Sequence, residues 1–157
     1  MRLENSFEVA APVDAAWRLL NDVPSVVPCM PGAELVEVVA ENSWKAKLHV
    51  KLGPIALQFM TDVRREEMDE AAGCVVLAAE AREARGRGGA RATIESTLAA
   101  ANGGTRVEIV TELTLTGAVA QYGRGIVADV ALRLTAQFAE CIAGKLTGRG
   151  APPTSAR

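Results

Sequence analysis

The chain is poor in several kinds of residue, and each shortage narrows what it can do. Only 4% of its 157 residues are aromatic, and it holds one tyrosine and one histidine. That histidine, His49, alternates with Lys45, Lys47 and Lys51 on what reads as the outward side of a strand, so a Ser–His or Cys–His nucleophile pair has no inward base. The three cysteines, Cys29, Cys74 and Cys141, are scattered and include no C-x-x-C pair. Their pattern suggests neither a zinc site nor a disulfide framework, and free thiols in a reducing cytoplasm are expected. Basic residues are not in excess. Seventeen Lys and Arg against nineteen Asp and Glu give a net charge of −2, which argues against a nucleic-acid partner. No run of about 20 apolar residues is present to span a bilayer, and MRLENSFEVAAP is not of signal-peptide type. The acidic cluster Glu66, Glu67, Asp69 and Glu70 reads as a solvated turn, and no metal site is expected.

What is present is a hydrophobic fraction of 49%, enough for the core of one domain without staples. Leu3, Asn5, Phe7 and Val9 alternate with polar neighbours as a half-buried strand does. Pro12 suits the first turn of a helix whose face is Val13, Trp17 and Leu20. Pro24, Pro28 and Pro31 leave room for no more than a helical turn before Gly32. Period-two patterning then takes over. Its inward rows are Trp44-Ala46-Leu48-Val50-Leu52, Ile55-Leu57-Phe59-Thr61-Val63, Val75-Leu77-Ala79-Ala81, Ala90-Ala92-Ile94-Ser96-Leu98 and Val107-Ile109-Thr111-Leu113-Leu115. Tight turns at Gly53-Pro54, Gly86 to Gly89 and Asn102-Gly103-Gly104 make successive strands antiparallel.

Beyond Gly117 the period changes. Val119, Tyr122, Ile126, Val130, Leu134, Phe138 and Cys141 recur at three- and four-residue steps, which predicts one amphipathic helix over 118–146. One helix covers one face of a sheet, so the sheet must curl around it. The expected class is α+β: a helix-grip fold with a curved antiparallel sheet of about six to seven strands around a long C-terminal helix, and two short helices after the first strand. Residues 1–147 are expected to form this domain, and 148–157 a disordered tail.

Four fragments together resemble the CoxG family, the G-type subunits of carbon monoxide dehydrogenase, within the START-like, polyketide-cyclase-like (SRPBCC) superfamily. They are Phe7 to Trp17, FEVAAPVDAAW; Asp22 with Cys29-Met30-Pro31-Gly32-Ala33; Lys51-Leu52-Gly53-Pro54-Ile55; and Gly117-Ala118-Val119-Ala120-Gln121-Tyr122-Gly123-Arg124. Gln137-Phe138 fits as well. One departure is Met60-Thr61 after Phe59, where the family often has glycine. The resemblance implies a non-catalytic accessory protein of a molybdenum hydroxylase of the carbon monoxide dehydrogenase type, without a cofactor of its own. It also implies a cytoplasmic place, with peripheral contact at the inner membrane face, and a cavity for lipids, polyketides, sterols or quinones.

Candidate ligand contacts come from the surfaces that would face such a cavity. They are Leu48, Phe59, Leu77 and Ile94 on the sheet, Tyr122, Ile126 and Val130 on the helix, and Met30 in the Cys-Met-Pro-Gly loop. Thr61 and Thr111 are inward hydroxyls that either meet a polar head or bond to nearby backbone. Gly123 and Gly125 either pack closely or loosen the helix start as a gate. Arg85, Arg87 and Arg91 form a basic hairpin that is either solvated or meets carboxylates of a partner or anionic headgroups. Three functions remain in view: a carrier of a hydrophobic small molecule, with a quinone as the leading ligand; a cyclase or dehydratase on the same fold; and a pure interaction module.

Overall fold

The computed structural model describes residues 1–148. Strand β1 (Arg2–Val9) is followed by helices α1 (Val13–Leu20) and α2 (Val23–Val26) and a 3-10 turn (Val27–Cys29). The strands β2 (Ala33–Ala40), β3 (Ser43–Leu52), β4 (Ile55–Asp69), β5 (Cys74–Glu83), β6 (Gly89–Ala101) and β7 (Gly104–Thr116) come next. A second 3-10 turn (Gly117–Gln121) precedes the long helix α3 (Arg124–Thr147). All seven strands lie in one sheet of order β1-β7-β6-β5-β4-β3-β2, and every pairing is antiparallel.

Helix α3 packs on both β1, at one edge, and β3, next to the other. A flat sheet could not reach both, so the sheet curls around the helix, as one-sided burial requires. The inward rows follow the alternation. Trp44, Ala46, Leu57 and Phe59 are buried, while His49 and Lys51 are exposed. Strand β4 runs on through Asp69 with a bulge between Arg65 and Glu67, where a polar turn was expected from Glu66. Among the described residues no helix is long and apolar enough to cross a membrane.

The interior has two ends. At one, Val9, Ala16, Trp17, Cys29, Val75, Leu98, Val107 and Ile142 form a filled cluster. Phe7 and Phe138 meet edge-on across it, with ring centroids 6.2 Å apart. Cys29 and Cys141 form a disulfide there, with Cα atoms 5.4 Å apart and a sequence separation of 112. This corrects the expectation of three free thiols, and the argument from free thiols to a reducing compartment falls with it. Spacing could not have revealed the pair, because only the packing of the Cys-Met-Pro-Gly loop on the last turns of α3 brings the two together. Cys74 alone is free, and burial, with Glu95 beside it, pushes its thiol pKa up.

The glycine of that loop has a backbone reason. Gly32 has a φ of +81°, its carbonyl accepts from the His49 N–H at 2.9 Å, and a Cβ there would collide with the His49 carbonyl. At the other end of the interior, Leu52, Leu57, Phe59, Val119 and Val130 form a second cluster.

The expected helix over 118–146 is two pieces. Residues 117–121 make a 3-10 turn, Tyr122 is extended (φ −73°, ψ 129°), and α3 begins after Gly123. The break resets the helical phase, so the face set by Val119 and Tyr122 does not continue to Ile126. That residue is 45% exposed, while Val127 and Val130 turn inward. Gly148 closes α3 in a left-handed conformation. The rest of the expected tail lies outside the described residues.

Candidate functional site

A cavity of about 200 Å³ lies between α3 and the concave face of the sheet. Its helix side is Val127, Val130, Ala131 and Leu134, with Val119 from the turn before α3. Its sheet side is Leu3, Leu48, Val50, Leu52, Phe59, Leu113 and Leu115, with Ala81 and Ala90 between them. Among the described residues, no ionisable side chain lines it.

The space has a local cause. Along the inward faces of β5 and β6, Ala79 stands opposite Ala92 and Ala81 opposite Ala90. Strand positions facing a helix ordinarily carry Val, Ile or an aromatic. Of these pairs, Ala81 and Ala90 line the cavity and withdraw that volume from the sheet beneath α3, while Leu52, Phe59 and Leu115 pack with Val119 and Val130 around it.

The rim beside the cavity is built by Glu83. Its side chain is buried, 5% exposed, and one oxygen accepts from the backbone N–H groups of Arg85 (2.8 Å) and Arg87 (3.2 Å) while the other accepts from that of Gln58 (3.2 Å). Burial works against its charge, but these three donors prevail and the carboxyl pKa is lowered. The β5–β6 hairpin is thereby fixed to β4. It is also fixed to the start of the last helical segment. The Arg87 carbonyl accepts from the Val119 N–H at 3.0 Å, and Gly88 and Gly117 pass so closely that a Cβ on Gly117 would lie 2.6 Å from the Gly88 Cα.

Of the residues expected to meet a ligand, Leu48, Phe59 and Val130 line the cavity. Tyr122 is half-buried and packs on the cluster beside it. Leu77 packs into the filled end instead. Ile94 and Thr111 face each other in register on β6 and β7, away from the lining. Met30 is half-buried in its loop. Ile126 is turned outward by the break at Gly123. Thr61 lies next to the lining, and its hydroxyl oxygen is buried with no hydrogen-bond partner among the described residues.

The basic hairpin is partly occupied. Arg91 pairs with Glu80 at 3.4 Å, and the Arg87 guanidinium reaches the Ala56 carbonyl at 3.4 Å. Arg85 is exposed, and its backbone rather than its side chain serves Glu83. A second hollow of about 220 Å³ lies on the outer face of the sheet, among Asp62, Arg64, Glu66, Glu80 and Arg91. Its charges pair with one another or with Arg82, at 2.9 to 3.7 Å, so a ligand there would meet a rim already neutralised.

Val127 and Ala131 escape a sequence reading that treats the last helix as continuous, whereas Val119 and Leu134 stand on its predicted inward face and do line the cavity. Ala81 and Ala90 carry a signal that sequence reasoning missed: alternation says which side a residue faces, and its size says whether space remains.

A long helix gripped by a curved antiparallel sheet, with two short helices after the first strand, is a helix-grip fold. Solved structures share this architecture. A conserved protein from Geobacillus kaustophilus superposes with a TM-score of 0.83 at 20% identity, over 94% of this chain and 96% of that one. The Zhui aromatase/cyclase from Streptomyces sp. R1128 gives 0.65 at 18%, over 95% and 94%. Ara h 8.0201 gives 0.67 at 17%, over 94% and 98%. These likenesses show the fold. No curated protein matches the sequence. The chain belongs to the CoxG family, the G-type subunits of carbon monoxide dehydrogenase, whose pattern matches residues 6–147.

Proposed function

We propose that this protein is a non-catalytic holder of a hydrophobic small molecule that serves a molybdenum hydroxylase of the carbon monoxide dehydrogenase type. The observation that carries the reading is the cavity between α3 and the alanine floor, lined wholly by apolar side chains. Burial of apolar surface supplies affinity of the order of 25 cal/mol per Å². The described lining carries no acid or base, which supports sequestration rather than proton transfer as the role of the site. The partner enzyme is inferred from the family alone, as is a place at the cytoplasmic face of the inner membrane. A quinone, with an apolar ring and tail, is the leading ligand. Delivering such a molecule as electron acceptor, or recruiting the enzyme to the membrane, are the roles it would serve.

The volume constrains the ligand. An engineered 150 Å³ apolar cavity accommodates benzene, so about 200 Å³ holds one ring or a short chain segment. A longer molecule must project from the cavity.

The test is a thermal-shift series with quinones and neutral lipids, together with native mass spectrometry of the purified protein. A ligand at one hundred times its Kd should raise stability by about 2.7 kcal/mol. Ala90→Leu, which fills the alanine floor, should abolish that shift while the protein stays folded. Protein that is consistently empty and unshifted by every apolar compound would sink the carrier reading. The interaction-module reading would then gain if charge reversal at Arg85 and Arg91 released the dehydrogenase.

A further inference from the structure

The strand β4 carries a hydroxyl where the surroundings are apolar. Thr61 is on the concave face of the sheet, two residues beyond Phe59, and pairs in register with Ala46 on β3 and Ala81 on β5. The same cross-strand row continues to Ala90 and Leu115. Phe59, Ala81, Ala90 and Leu115 all line the cavity, so Thr61 adjoins the lining both along its strand and across to the next. Its Oγ1 is buried and unpartnered among the described residues. Buried polar atoms are nearly always satisfied, and an exception calls for a reason. The buried Thr105, by contrast, donates to the Ala11 carbonyl at 2.8 Å.

The nearby charge offers an anion no partner: the buried Glu83 carboxylate, two residues beyond Ala81 and opposite Phe59, is itself negative and is satisfied by three backbone N–H groups. The inward cation on the same strand is Arg65, four residues on, and it is committed elsewhere. Its guanidinium donates to the Asn21 carbonyl at 2.6 Å and the Asn42 side-chain oxygen at 3.0 Å, and stacks over Trp44 at 5.3 Å. A carboxylate or phosphate drawn in beside Thr61 would be buried without a counter-charge, which is costly. A neutral carbonyl needs only one donor, and a threonine hydroxyl rotates to supply it.

We infer that Thr61 is the polar anchor of the cavity, donating to the carbonyl of a neutral apolar ligand and selecting it over an anionic amphiphile of the same length. The ligand sits with its carbonyl end at Thr61, and whatever exceeds the cavity projects as apolar tail. This deepens the carrier reading and rests on it.

The test compares undecanone, undecane and undecanoate on the wild-type protein, Thr61→Val and Thr61→Ser, by displacement of a bound apolar fluorophore. Wild type should bind undecanone and bind undecanoate far more weakly at neutral pH. Thr61→Val should lose roughly threefold to tenfold in undecanone affinity, the worth of one neutral hydrogen bond, with undecane affinity unchanged. Thr61→Ser should keep the ketone. The ligand-free Thr61→Val protein should also melt higher than wild type, because it removes an unsatisfied buried hydroxyl; a hydroxyl that served the fold would move the melt the other way. Equal binding of undecanoate and undecanone by wild type overturns the selection whether or not the valine variant folds. Ketone affinity unchanged in Thr61→Val overturns the anchor. Failure of all three probes on wild type overturns the carrier reading itself, and this one with it.

Discussion

The two ends of the interior obey the same alternation and differ in what stands on it. At the filled end, α1 and the Cys-Met-Pro-Gly loop bring Trp17 and Cys29 against Val9, Val107 and Ile142, and Phe7 and Phe138 close the space between sheet and helix. At the open end α3 and the 3-10 turn before it cover the sheet, and the floor beneath them includes Ala81 and Ala90. Close packing makes every methylene count at the first. Withheld volume makes the second a place where a ligand completes the core. Stability and binding are therefore separable along one helix: the end of α3 from Phe138 onward anchors it, and the stretch from Val127 to Leu134 roofs the cavity.

Truncation breaks that contrast most sharply. Trp17 is 6% exposed in the filled cluster, and Trp17→Ala should cost about 3–5 kcal/mol by urea unfolding, as other buried large-to-small changes do. Val130→Ala, on a side chain that already borders a gap, should cost under about 2 kcal/mol. Equal losses would mean that the two ends are packed alike and that the cavity closes in solution.

The disulfide offers the next largest effect. Cys29 and Cys141 close a loop of 112 residues at the filled end, and reduction should lower stability by about 2–4 kcal/mol. A thiol count with and without a dithiol reductant, followed by denaturant unfolding of both forms, checks it. Three reactive thiols in the untreated, denatured protein would overturn the cross-link. Ligand affinity should change little on reduction, because Val127, Val130 and Leu134 lie about two to four turns before Cys141 on α3.

How much of this is legible in the sequence differs by end and by kind of signal. The inward rows through Trp44 and Ala46 and through Leu57 and Phe59 are readable, because period-two patterning is forced wherever one face is buried. The meander from β2 to β7 follows from the turns between successive strands, whereas the place of β1 beside β7 does not. The Cys29–Cys141 pair is not readable, since nothing local couples residues so distant in the chain. The continuous helix over 118–146 is a misreading of phase. Val119 and Tyr122 do lie inward, but the extended backbone at Tyr122 and Gly123 restarts the helix, so periodicity places Ile126 inside and overlooks Val127. The cavity stands half in view. Its walls are readable as inward residues, and the room between them owes to the small size of the alanines at 81 and 90, to which alternation is blind.

The smallest effect belongs to the rim of the open end. Glu83 holds the β5–β6 hairpin through three backbone N–H groups, and its pKa lies below the ordinary carboxylate value. A carboxylate with a depressed folded pKa stabilises fully above its unfolded pKa and loses that contribution as pH falls through the folded one. Wild type should therefore melt above Glu83→Gln at neutral pH, and the gap should narrow on acidification through and below the usual carboxylate range. The loss should register first in amide exchange at Arg85 and Arg87, whose N–H groups face the carboxylate, and least at the filled end around Trp17. A gap that stays constant with pH would mean that shape rather than charge holds the rim. A gap that closes, together with faster ligand release at acid pH, would make Glu83 the point at which the mouth of the cavity loosens before the rest of the fold.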